Sequence, residues 1–68
     1  MSVVKVIEIL AQSEKSWEDA ADVALKEASK TVKNIQTIYI KDLQAIVKEN
    51  KIAAYRVNAK VSFKVGGE

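Results

Sequence analysis

An α+β fold, with three antiparallel strands and one helix in the order β-α-β-β, is predicted by three patterns in this sequence. Residues 53–65 alternate between apolar and polar side chains, with Ala54 the one apolar residue on the polar side, the period of a strand with one covered face. Residues 17–32 place apolar side chains at steps of three and four, the period of a helix buried along one stripe. Residues 3–10, VVKVIEIL, are dominated by β-branched side chains, which suit a pleated strand better than a short helix.

The first strand is bounded by the polar run QSEKS, residues 12–16. Within that run Ser16 stands three residues before Asp19, an N-cap hydroxyl followed by acidic side chains near the positive end of a helix. Ser13 is a competing cap. From there Trp17, Ala20, Ala21, Ala24, Leu25, Ala28 and Val32 form the apolar stripe, and Glu18, Asp22, Lys26 and Lys30 lie on the other side. Small alanines let the helix backbone lie close to its cover, which a sheet supplies well. The stripe runs to about Lys33, and Asn34 is suited to a left-handed cap.

The middle strand is less regular. Ile35, Thr37, Tyr39, Leu43, Ala45 and Val47 share one parity, while Ile38, Ile40 and Ile46 share the other. One helix covers one face of a three-stranded sheet, so the apolar residues of the second face need another subunit or a ligand. The polar KENK, residues 48–51, makes the turn, with Glu49 and Asn50 at its tip. In the last strand Ala53, Tyr55, Val57, Ala59, Val61, Phe63 and Val65 form the core face, against Ala54, Arg56, Asn58, Lys60, Ser62 and Lys64.

A chain of 68 residues is one domain, 1–68, and at this size buries only about 60% of the surface its unfolded form exposes. It has no Cys and no His, so disulfides and the commonest zinc ligands are excluded as sources of stability. With 49% hydrophobic residues, self-assembly is the expected remedy. The cysteine-free composition suits a reducing cytoplasm, and no signal peptide or membrane span is expected. A formal charge of +2, with the signs interspersed, makes nucleic acid an unlikely partner. Without His, Cys, a glycine-rich phosphate loop or a nucleophile motif, no enzymatic activity is expected.

Trp17 at the head of the stripe reads as core or interface packing, Tyr55 reads as core, and Tyr39 stays open. Arg56 stands in mid-strand on the polar face, where a guanidinium can make a forked contact to a carboxylate or phosphate, join a subunit salt bridge, or be solvated. Asp42 with Glu49 offers oxygen ligands to a hard cation such as calcium, in a site shared between subunits.

The segments KVIEI, the S-x-x-S-W-x-x-A-A helix start, the NI at helix exit and the closing Y-R-V-x-x-x-V-S-F together resemble the dodecin family over nearly the whole chain. The resemblance implies a curved sheet partly wrapped around its helix, and subunits assembled into a hollow homododecamer. It also implies a small-ligand binding or storage role, with flavins (FMN, FAD or riboflavin) held between subunits. The family's stacking tryptophan falls here at Thr37 and its glutamine at Arg56, while two further cleft positions map to Asp42 and Gln44. Flavin binding of the usual kind is therefore expected to be weakened or lost. The alternative reading is a structural or calcium-binding assembly, after members of the family that bind calcium.

Overall fold

The computed structural model describes residues 3–66. Strand β1 (Val3–Ser13) is followed by helix α1 (Trp17–Ser29), and the long strands β2 (Ile35–Lys48) and β3 (Lys51–Val65) form the hairpin. The strands lie in the order β1-β3-β2, all pairs antiparallel. The last strand is therefore central and both others are edges.

The helix begins where its capping chemistry places it. Ser16 is extended, and its Oγ accepts the Asp19 N–H at 2.9 Å. Ser13 does not compete for the cap: its Oγ donates to Asp19 Oδ2 at 2.6 Å and accepts the Lys15 N–H at 2.9 Å. Ser16→Ala is expected to cost about 1 kcal/mol in the unfolding free energy, read as a lowered urea midpoint with an unchanged slope.

The far end of the helix comes earlier than the apolar spacing predicts. The helix stops at Ser29, and the Lys30 and Thr31 N–H groups bond to the carbonyls three residues back, a tightened last turn. Asn34 then takes a φ of 62° and redirects the chain into β2. Its carbonyl accepts the Lys64 N–H at 3.1 Å, tying helix exit to the end of β3.

The core lies between the helix and the inner face of the sheet. Ala20, Ala24 and Ala59 are fully buried and Val57 is 1% exposed. Ile9, Trp17, Ile38 and Ile40 pack around them. With methyl groups on both sides the helix backbone approaches the sheet closely. Leu25, placed in the stripe by its spacing, instead remains 36% exposed.

Three register irregularities explain the mixed parity of the middle strand. Gln36, Lys41 and Ala53 have no register partner, between pairs that shift at Ile35/Thr37, Ile40/Asp42 and Ile46/Val47. Each extra residue reverses the alternation after it. Ile38 and Ile40 lie opposite Val61 and Ala59, and beyond the Lys41 bulge Leu43 and Ala45 lie opposite Val57 and Tyr55. All four therefore share the helix-side face, correcting the split that simple parity predicts. The bulge at Ala53 also makes this residue exposed instead of core, whereas Ala54, read as a polar-face position, is buried opposite Ile46.

Glu49 and Asn50 form the hairpin turn with φ of 52° and 63°. Two consecutive positive values are the signature of the tight turn whose twist matches that of the flanking strands. The result is an elongated subunit of 51 × 19 × 13 Å.

Candidate functional site

The outer face of the sheet, away from the helix, carries polar side chains from all three strands, interspersed with the apolar Val4, Val6 and Leu10. Its register places Gln12, Arg56 and Gln44 in one row, Leu10, Asn58 and Asp42 in the next, and Glu8, Lys60 and Tyr39 beyond them. Thr37 lies opposite Ser62, further toward the end that receives the helix exit.

Arg56 is held within its own subunit. Its Nε and Nη2 both donate to Gln12 Oε1, at 3.3 and 2.9 Å. Neither a carboxylate nor a phosphate is needed to fix the guanidinium, because the strand pairing supplies an amide acceptor across the sheet. Thr37 is likewise engaged, its hydroxyl sharing a hydrogen bond with that of Ser62. A side chain of this size offers no aromatic plane for stacking.

Gln44 anchors the helix through its backbone. The Trp17 indole Nε1 donates to the Gln44 carbonyl at 2.9 Å, and the indole meets the Tyr55 ring edge-on with centroids 4.9 Å apart at 74°. This half-buried pair fixes the helix start against both strands of the hairpin. Tyr39 is 62% exposed on the outer face.

Asp42 lies opposite Asn58, whose Oδ1 is buried and has no hydrogen-bond partner. Beside this row, Lys41 at its bulge reaches Glu8 at 3.6 Å, with both side chains about half exposed. An ion pair so open to solvent contributes about 0–1 kcal/mol.

The sheet brings Asp42, Gln44 and Arg56 together in adjacent rows. Thr37 is remote from them within one subunit: its partner Ser62 lies six residues along β3 from Arg56, roughly 20 Å at strand rise. Asp42 and Glu49 are also separated, since Glu49 sits at the hairpin tip, on the order of 20 Å along the strand. Among the described residues no group of three or more His, Cys, Asp or Glu side chains comes together to hold a metal ion. No described helix is long and apolar enough to cross a membrane.

Two partners were missed from sequence, Gln12 for Arg56 and Ser62 for Thr37. Alternation puts Ser62 and Arg56 on the polar face, but the pairing requires the strand order and register. Trp17 packs against the core as its place in the stripe predicts, and its bond to the Gln44 carbonyl gives it a second role.

A small β-α-β-β subunit, one helix packed on one face of a three-stranded sheet whose other face is open, is the class that this fold defines. The chain belongs to the dodecin family, whose model matches residues 3–66. It is 37% identical over 65 residues to a protein named calcium dodecin from Mycobacterium tuberculosis, across 96% of this chain and 92% of that one. The crystal structure of that calcium-chelating antigen, described with a novel calcium-binding site, matches with a TM-score of 0.84 and 34% identity, over 98% of this chain and 96% of the other. A point variant of the T. thermophilus dodecin matches with a TM-score of 0.92 and 27% identity, over 97% and 98% of the two chains.

Proposed function

We propose that this chain is a small-ligand binding or storage subunit of a hollow homododecameric shell, in which the usual flavin contacts are weakened or lost. The observation that carries this reading is the state of the two flavin-cleft positions. Thr37 is bonded to Ser62 and Arg56 to Gln12, so each side chain is engaged within its own sheet. Neither supplies an aromatic plane or a free amide to a planar ligand.

Assembly is supported by the surface of the single subunit. It exposes 5083 Å², whereas a compact monomer of 7.5 kDa exposes about 4,200 Å². Much of the excess is apolar: Val4, Val6, Leu10 and Tyr39 are each more than half exposed. These side chains gain burial against other subunits or a ligand.

Two measurements test the reading. Light scattering on the untagged protein is expected to give about 90 kDa, twelve copies of 7.5 kDa; a mass of one subunit overturns the shell. Riboflavin fluorescence is expected to be quenched weakly or not at all by the protein as it stands. One indole stacking contact at about 0.5–1.5 kcal/mol corresponds to about two- to twelve-fold in affinity. A Thr37→Trp, Arg56→Gln double variant should recover that margin. Equal quenching by both proteins overturns the loss of flavin binding.

The calcium reading is favoured by the 37% identity to calcium dodecin. Asp42 and Glu49 are its candidates here, and in this reading, being separated along one subunit, they meet across an interface between copies. Unchanged mass and thermal midpoint between calcium and chelator remove a structural calcium role.

A further inference from the structure

Toward the end of the sheet that receives the helix exit, the outer face carries hydroxyls and lysines with no acid between them. Thr37 and Ser62 share one hydrogen bond between two hydroxyl groups, so one O–H remains free to donate. Lys60 and Lys64 stand on either side of Ser62 along β3, and the period of a strand puts all three on the same face. Both lysines are half-buried, and among the described residues neither has an ion-pair partner.

The acids of this face leave that charge uncompensated. Glu8 lies opposite Lys60, but its carboxylate meets Lys41 at 3.6 Å. Asp42 lies a row further from Ser62, opposite Asn58. Across from Ser62 and Lys64 on β1 are Val6 and Val4, both more than half exposed. The aromatic side chains are sorted between the two faces as well. Trp17 packs against Tyr55, and Phe63 shares the parity of Val57 and Val61 on the helix side. Tyr39 is opposite Lys60 and 62% exposed on the outer face. It lies on the same strand face as Thr37, roughly 7 Å away at strand rise, a distance that a planar ring with an acidic substituent bridges.

We infer that this face binds a planar small molecule carrying an oxyanion, a phosphate or a carboxylate. Its ring lies on Tyr39, and its anion sits over Thr37 and Ser62 between Lys60 and Lys64. An ammonium on each side and a spare hydroxyl suit an oxyanion, and the phenol ring gives the plane that Thr37 lacks. Charge then tells apart ligands that share one ring, which stacking alone does not. The inference rests on the binding reading above and names its ligand class.

FMN and riboflavin are suitable probes, because they share one fluorescent ring and differ in a phosphate. By fluorescence titration at low salt, FMN is expected to bind about tenfold or more tightly than riboflavin, from charge-assisted contacts. Added salt should reduce that ratio. A Lys60→Gln, Lys64→Gln variant should erase the preference, Lys60→Arg, Lys64→Arg should restore it, and Tyr39→Leu should weaken FMN binding. Inorganic phosphate should displace FMN only at concentrations far above that of FMN. The salt and phosphate measurements use the unaltered protein, so they decide even where a variant fails to fold. FMN bound no more tightly than riboflavin, a preference that survives the glutamine substitutions, FMN binding unchanged by Tyr39→Leu, or displacement by phosphate at equal concentration each overturns the inference. Riboflavin quenched by the wild type as strongly as by the Thr37→Trp, Arg56→Gln variant overturns the reading above instead.

Discussion

Trp17→Ala is expected to lower the unfolding free energy by about 3 kcal/mol, the low end of the range for truncating a large aromatic side chain, because the indole is only half-buried. Three losses combine. The ring leaves the core cluster around Ala20, Ala24 and Val57, the edge-on contact with Tyr55 disappears, and the Gln44 carbonyl loses its donor. Small domains have only about 5–15 kcal/mol to lose and chains of this size sit near the bottom of that range. In thermal terms the change is about 12–24 °C for a domain this small. Urea unfolding at one fixed protein concentration measures it, since assembly makes stability concentration-dependent. Trp17→Phe separates the contributions: it keeps the aromatic contact and loses the hydrogen bond, and should cost about 1 kcal/mol. An alanine variant as stable as the phenylalanine one would show that the ring contributes little beyond its N–H.

Local rules account for those parts of the fold that are legible from sequence. Ser16 caps the helix and Asn34 turns left-handed after it, while Glu49 and Asn50 make the hairpin tip. Each depends on a few neighbouring residues, and so does the alternation of Tyr55, Val57, Ala59 and Val61. The bulges at Gln36, Lys41 and Ala53 have no such signal, because no glycine marks them and their cause is the pairing of distant strands. Parity along β2 therefore assigns Leu43 and Ala45 to one face and Ile38 and Ile40 to the other, whereas tertiary register unites them.

The candidate site divides in the same way. That Arg56, Ser62 and Asn58 share a polar face follows from period two alone. That Arg56 bonds a glutamine 44 residues earlier depends on β1 pairing with β3, a topological fact. The resemblance selects Thr37, Asp42, Gln44 and Arg56 by position, and one subunit gathers only the last three. Such a separation is what a cleft built from more than one copy would require, since neighbouring subunits can close a distance that a single strand cannot.

Ala24→Leu is expected to be comparably disruptive, by the opposite mechanism. Ala24 has no exposed surface and packs in the cluster that contains Ala11, Val57 and Ala59. Opposing residues cannot yield by changing rotamer, because Ala59 has none and Val57 is β-branched. Three extra carbons must therefore push α1 away from the sheet, which costs about 1–3 kcal/mol in a well-packed core. The upper end applies here, since displacement of the helix also strains the Trp17 bond to Gln44 and the Ser13–Asp19 bond at its start. A second substitution distinguishes overpacking from loss of helix propensity. Leucine is nearly as good a helix former as alanine, so Lys26→Leu on the exposed side should change the urea midpoint little. If Ala24→Leu were equally mild, the close helix-to-sheet approach would not be what these alanines provide. If Ala59→Gly, which opens space on the opposite strand, partly rescues Ala24→Leu, the two positions are coupled through the same contact.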